Sequence, residues 1–112
     1  MYEIVLTHEA VDDLRTLSRY DRTKIEDALE THLRHEPMKI SRSRIKRMRD
    51  LAKPQYRLRV DEWRVYYDVT GQNVVIHGVI PKDNQDQWLA ENGILELEDK
   101  NNEADLAGGG SE

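Results

Sequence analysis

The sequence contains no cysteine, no phenylalanine and only three prolines, and it lacks any long apolar run. Without cysteine the chain can form neither a disulfide nor a thiolate site, so the cytoplasm is the expected compartment. No 18 consecutive apolar residues occur, so no membrane-spanning helix is predicted. Residues 1–6 lack the basic and apolar regions of a signal peptide. A chain of 112 residues predicts one domain.

The charge is unevenly distributed, although the net value is only −5. Residues 39–59 hold nine basic residues and one acid, whereas residues 91–112 hold seven acids and one base. Because local fields decide whether a polyanion binds, the basic segment predicts either a nucleic-acid interface or a solvated surface without a ligand. The candidate RNA-binding residues in this segment are Lys46, Arg47, Arg49 and Lys53.

The first third of the chain predicts a strand and a helical hairpin. Residues 2–6 are predicted to form a strand, in which Tyr2, Ile4 and Leu6 alternate with Glu3 and Val5. Thr7 can cap a helix over residues 8–18. Asp21 can cap a second helix, which Pro37 ends.

The remainder predicts a sheet and a last helix. Residues 38–53 are predicted to be irregular, and apolar residues with period two then indicate three antiparallel strands, at 55–60, 63–69 and 73–80. Asp83 or Asn84 can cap the last helix, with Gly93 at its C-terminal end. The predicted fold class is therefore α+β, a small antiparallel sheet with the helical hairpin on one face and a C-terminal helix.

The C-terminal segment divides the chain into residues 1–93, a folded domain, and residues 94–112, an acidic tail. Its composition predicts a disordered, solvated segment. Alternatively, Ile94, Leu95 and Leu97 extend the last helix and bring the acids over the basic segment.

The predicted register gathers arginines on one face of the sheet. A short turn at Asp61-Glu62 pairs the apolar residues of the first two long strands, and it then sets Arg59 opposite Arg64 and Arg57 opposite Tyr66. A turn at Gly71-Gln72 sets Tyr66 opposite His77 and Arg64 opposite Val79.

Three arginines so placed predict a bound anion. Like charges directly opposite each other on a sheet cost about 0.2–1 kcal/mol, and the guanidinium fork matches phosphate oxygens. The alternative is neutralisation by Asp50, Asp61, Asp68 or the carboxylates of another chain. His77 is either structural or a general base. Since His32 and Glu36 alone make too small a ligand set, no metal site is predicted.

Residues 56–69, YRLRVDEWRVYYDV, with IKRM at 45–48 and VIPK at 79–82, resemble the RelE/ParE superfamily of toxins from type II toxin–antitoxin systems. The resemblance covers about residues 1–91. It implies a ribosome-dependent endoribonuclease (an mRNA interferase) that needs no metal or cofactor and inhibits translation. The ribose 2′-hydroxyl would attack the adjacent phosphate of mRNA. The implied partners are a cognate antitoxin, the ribosome and mRNA, with operator DNA bound through the antitoxin; no membrane is implied.

The resemblance also implies site residues. Arg57, Arg59 and Arg64 would hold the phosphate, Lys82 would supply a proton and Trp88 would stack on a base. His77 and Tyr66 are further candidates for a catalytic role. The chain has Arg57 and Arg59 where RelE has lysines, Lys82 for an arginine and Trp88 for a tyrosine. Trp88 can instead anchor the last helix, and Lys82 can be a solvated loop residue.

Because arginine is a poor general base, two other functions stay open. One is a ParE-like inhibitor of DNA gyrase without nuclease chemistry. The other is a non-catalytic RNA-binding module.

Overall fold

The computed structural model describes residues 1–96, which form a five-stranded mixed sheet, a two-stranded sheet and three helices. Residues 82–84 form a 3₁₀ turn before the last helix. The elements are β1 (Glu3–Leu6), α1 (His8–Arg15), α2 (Arg19–Leu33), β2 (Ile45–Arg47), β3 (Leu51–Lys53), β4 (Tyr56–Val60), β5 (Trp63–Thr70), β6 (Asn73–Pro81), α3 (Gln85–Asn92) and β7 (Ile94–Leu95). No helix within residues 1–96 has the length and apolarity needed to cross a membrane.

Side-chain caps define the starts of the first two helices. The Thr7 hydroxyl accepts a hydrogen bond from the Ala10 N–H at 3.1 Å, which confirms the predicted cap. The Ser18 hydroxyl accepts from the Asp21 N–H at 3.1 Å, so the predicted Asp21 cap is wrong. Since Ser18 already starts α2, α1 ends at Arg15 rather than at residue 18.

The strand order of the large sheet is β1-β6-β5-β4-β2. β1 runs parallel to β6, and the other neighbours are antiparallel. The α+β class is confirmed, but the expectation of a purely antiparallel sheet is wrong because the first strand runs parallel to its neighbour. Residues 38–53, predicted to be irregular, contain the short strands β2 and β3.

The predicted register of the first hairpin is confirmed. Arg59 pairs with Arg64, Arg57 with Tyr66, and Val60 with Trp63 across a two-residue turn. Asp61 in this turn has a φ of 52°, a left-handed conformation that Asp tolerates better than most residues.

A β-bulge interrupts the second hairpin. Tyr67 pairs with Ile76 as predicted, but Tyr66 pairs with Gly78, so His77 is an extra residue on β6. The predicted pairs Tyr66–His77 and Arg64–Val79 are therefore wrong, and Arg64 lies opposite Ile80.

One face of the sheet forms the hydrophobic core with α1 and α2. Leu58, Val65 and Ile76 are completely buried there together with Ile25 and Leu33 of the second helix. The buried Tyr67 hydroxyl donates to the Pro37 carbonyl at 2.6 Å and so fixes the end of the helical hairpin to the sheet.

The chain after α3 returns to the basic segment. Gly93 lies at the C-terminal end of α3 as predicted, and with a φ of −72° and a ψ of 144° it continues the chain in an extended conformation. Ile94 and Leu95 pair with β3 instead of extending the helix. The rest of the predicted acidic tail, residues 97–112, lies outside the described residues.

Candidate functional site

Strand alternation places the basic residues of the first hairpin opposite the core. Leu58 and Val65 face the helices, so Arg57, Arg59 and Arg64 lie on the other face. Ile45 of β2 pairs with Leu58 in the core, and Lys46 pairs with Arg57. We call Lys46, Arg57, Arg59 and Arg64 the cationic face.

The hairpin turn fixes the guanidinium of Arg64. Its Nη1 donates to the carbonyls of Asp61 at 2.8 Å and of Trp63 at 2.9 Å. The residue is only 8% exposed, although it lies outside the core cluster. Arg64 is therefore held in one orientation by its own hairpin.

Arg57 is half-buried beside two other positive charges. Burial, and then the charges of Arg64 and Arg59, lower its pKa, and only Tyr66 opposes them. The Nε atoms of Arg57 and Arg64 are buried and have no hydrogen-bond partner within residues 1–96. Leaving a buried donor unpaired costs about 1–3 kcal/mol, so an acceptor at this face would relieve an existing penalty.

The acids that could have neutralised this face have other partners or none. Asp61 binds Lys24 at 2.6 Å, and Asp68 binds His77 at 2.9 Å. Within residues 1–96, Asp50 forms no ion pair, and neither does any arginine of the cationic face. Internal salt bridges in the described part of the chain therefore do not account for the gathered arginines.

Helix α3 packs on Tyr66, the residue that pairs with Arg57 of the cationic face. The Trp88 ring stacks on Tyr66, with centroids 4.9 Å apart and planes at 14°. The Tyr66 hydroxyl donates to Gln85 Oε1 at 3.0 Å. Tyr66 is completely buried, and its burial raises its pKa. Here Trp88 anchors α3, and its stacking on a substrate base stays a prediction.

Sequence reasoning missed Gly78 and Gln85 as supports of this arrangement. A Cβ at Gly78 would lie 2.8 Å from Trp88 Cζ2, so only glycine lets the indole approach the sheet. A glycine inside a strand rich in β-branched residues is a recognised sign of such a close approach.

Lys82 lies at the end of the sheet that carries Arg59 and Arg64. It follows Pro81, which pairs with Trp63, and its N–H donates to the Glu62 carbonyl at 2.8 Å. Its ammonium lies 3.5 Å from Glu62 Oε1, and the side chain is 47% exposed. An exposed ion pair of this kind is weak, so the ammonium can leave the carboxylate for a ligand.

His77 has a different environment. Its Nε2 lies 2.9 Å from Asp68 Oδ2, while Asp68 Oδ1 accepts from the Gln55 N–H at 2.7 Å. With Lys53 and Trp88 it lines a small cavity of about 200 Å³. These contacts tie the bulge to the neighbouring strands, and none of them joins His77 to the arginines.

The predicted RNA-binding residues are spread over different surfaces. Lys46 joins the cationic face, but the Arg47 guanidinium lies 5.3 Å from the Tyr56 ring centroid, and its Nη1 donates to the Gln55 carbonyl at 2.9 Å. Arg49 lies in the exposed turn between β2 and β3, and Lys53 lies in β3.

The site as described can bind an anion through several guanidinium groups. Residues 1–96 contain no cluster of three His, Asp or Glu side chains that could hold a metal ion. Phosphate recognition by this face would therefore depend on charge-assisted hydrogen bonds from Arg57, Arg59 and Arg64.

The fold is that of the toxins in known toxin–antitoxin complexes. The RelBE2 complex from Mycobacterium tuberculosis matches with a TM-score of 0.62 at 22% identity, covering 71% of this chain and 96% of the other. The RelB–RelE complex from Methanococcus jannaschii matches with a TM-score of 0.55 at 18% identity, covering 75% and 96%. No curated protein matches the sequence significantly.

The sequence itself identifies the family. Residues 4–85 match the ParE toxins of type II toxin–antitoxin systems, parDE. The chain belongs to this family, and hence to the RelE/ParE superfamily of toxins.

Proposed function

We propose that this toxin cleaves mRNA on the ribosome and that a cognate antitoxin restrains it in the cytoplasm. The observation that carries the proposal is the cationic face, where three arginines lie together without a carboxylate partner within residues 1–96. A phosphodiester supplies the acceptors that these groups lack, and RNA supplies the internal nucleophile. The two similar structures named above are toxin–antitoxin complexes, which supports the antitoxin partner.

In the proposed reaction the ribose 2′-oxygen attacks the adjacent phosphorus, and the bond to the 5′-oxygen breaks. The products are a 2′,3′-cyclic phosphate and a 5′-hydroxyl. Negative charge grows on the non-bridging oxygens in the transition state. Arg64, fixed by the turn carbonyls, is preorganised to stabilise this charge, with Arg57 and Arg59 beside it.

Proton transfer is assigned to Lys82 in this proposal. After leaving Glu62, its ammonium would donate a proton to the departing 5′-oxygen. Trp88, which is partly buried, would offer a stacking surface to a base. The 2′-proton passes to water or to the ribosome, because the guanidinium groups are already protonated at any relevant pH and cannot accept it.

Cell-free translation followed by primer extension on the message tests the proposal. The parent chain is expected to produce cuts at codon positions. Arg59→Gln should reduce the cleavage rate about 100- to 1,000-fold, the loss expected when one charge-stabilising donor is removed. Arg15→Gln is the matched control, since this arginine of α1 is 76% exposed and lies on the helical side. Equal cleavage by both variants would refute the role of the cationic face.

A second pair of variants tests Lys82. Lys82→Met should slow cleavage, whereas Glu62→Gln should preserve or raise the rate because it releases the ammonium. If Glu62→Gln is as inactive as Lys82→Met, the ion pair is needed intact, and Lys82 is not the proton donor.

Inhibition of DNA gyrase is the second candidate. Two observations favour it: the family match is to ParE toxins, and both predicted proton-transfer groups, Lys82 and His77, are paired with carboxylates. A supercoiling assay with purified gyrase separates the candidates. Intact message together with cleaved plasmid would replace the nuclease proposal. RNA gel shifts without cleavage of either substrate would indicate a non-catalytic RNA-binding module.

A further inference from the structure

The C-terminal segment of the chain carries acids that could neutralise the cationic face. Residues 97–112 contain five acids, Glu98, Asp99, Glu103, Asp105 and Glu112, and one base, Lys100. The cationic face has no carboxylate partner within residues 1–96. The two sets have opposite charge on one polypeptide.

The path of the backbone brings the start of this segment to the basic region. Ile94 and Leu95 pair with β3, and the Glu96 N–H donates to the Asp50 carbonyl at 3.0 Å. The side chains of Ile94 and Leu95 are 54% and 68% exposed, so backbone pairing rather than apolar burial holds the chain here.

The distance to the arginines is short for the available length. β3 is followed by two residues and then by β4, whose second residue is Arg57. The separation from Leu51 to Arg57 is six residues, which span at most about 22 Å, whereas sixteen residues can span about 55 Å. Glu103, Asp105 and Glu112 lie at least seven residues beyond Glu96, or about 24 Å of extended chain, and are therefore within reach of the cationic face.

We propose that residues 97–112 bind the cationic face in cis, through carboxylate–guanidinium pairs, and compete there with RNA. A tethered competitor acts at an effective concentration in the millimolar range, so weak pairs suffice to occupy the face. The proposal shares the cationic face with the proposed function but does not require nuclease activity.

The test uses the full chain and two charge-matched triple variants. The first carries Glu103→Gln, Asp105→Asn and Glu112→Gln. The second carries Asp12→Asn, Glu26→Gln and Asp27→Asn, which neutralise exposed acids of α1 and α2 on the helical side. Both variants raise the net charge equally, so the control removes the general effect of net charge.

Two readouts are measured at 50 mM NaCl. Without RNA, the NMR signals of the Arg57 and Arg64 Nε–H groups should shift in the first variant and stay unchanged in the second. The first variant should bind a 12-nucleotide single-stranded RNA about tenfold more tightly than the parent, and the second less than about threefold, because only the first removes the tethered competitor. At 500 mM NaCl screening should erase most of the difference.

Unchanged arginine signals in the first variant would overturn the cis contact. Equal affinities of the two variants, where both bind RNA, would also overturn it. If instead the arginine signals shift while none of the proteins binds RNA, the cis contact stands, and the proposed function loses its support. The two proposals therefore fail on different observations.

Discussion

Removing Arg59 should stabilise the protein while it weakens the site. Arg59 lies directly opposite Arg64, is exposed and forms no ion pair within residues 1–96. Like charges in this position cost about 0.2–1 kcal/mol, so Arg59→Gln should raise the free energy of unfolding by about that amount. Glutamine keeps part of the aliphatic stem, so little packing is lost.

Urea denaturation at 20 mM and 500 mM NaCl measures the effect. The parent for this comparison carries the Glu103, Asp105 and Glu112 substitutions, so that the acidic segment does not mask the repulsion. The gain should shrink at high salt because screening weakens repulsion between exposed charges. Arg15→Gln on α1, which removes a 3.9 Å ion pair with Asp12, should give no gain.

A loss of stability in Arg59→Gln at both salt concentrations would refute the reasoning. It would mean that Arg59 makes a stabilising contact, and that the arginines are gathered for structural reasons rather than to bind an anion.

Three further predictions concern the supports of the site. Gly78→Ala should destabilise the protein by about 1–3 kcal/mol through overpacking against Trp88, and near-ultraviolet circular dichroism should report the displaced indole. Asp13→Ala should cost about 1–3 kcal/mol in urea denaturation, because the Val79 N–H, 2.9 Å from Asp13 Oδ2, loses its acceptor. Burial raises the Asp13 pKa, so the folded state binds the proton more tightly; relative to Asp13→Asn the parent should gain stability as pH falls through that pKa, and denaturation at pH 7, 5 and 4 checks the sign.

The first hairpin could be predicted from sequence because two constraints agree. The Asp61-Glu62 turn permits few pairings, and a one-residue slip would move Leu58 and Val65 out of the core. The same register determines on which face of the sheet the arginines lie. Strand direction for β1 could not be obtained in this way, because alternation is identical in parallel and antiparallel strands.

The bulge left a mark in the sequence that simple alternation overlooks. Val74 and Ile76 face the core, but the next core residue is Val79, three positions further on. An odd step in a period-two pattern requires an extra residue, here His77. The position of α3 was harder to predict, because it depends on contact between two distant residues, Gly78 and Trp88.

The bulge at His77, the adjacent Gly78 and the Asp61-Glu62 turn together explain why the two ends of the cationic face differ. His77 shifts the register, so Gly78 rather than a larger residue lies opposite Tyr66. Trp88 can therefore stack on Tyr66 at that end of the cationic face. At the other end the turn carbonyls hold Arg64. A polyanion would first meet the exposed Arg59 and Lys46, whose charges act over a Debye length, and would then reach Arg64, whose orientation is already set. Under the proposed function, Lys46 would thus act in encounter, Arg64 in charge stabilisation, and Arg59 in both.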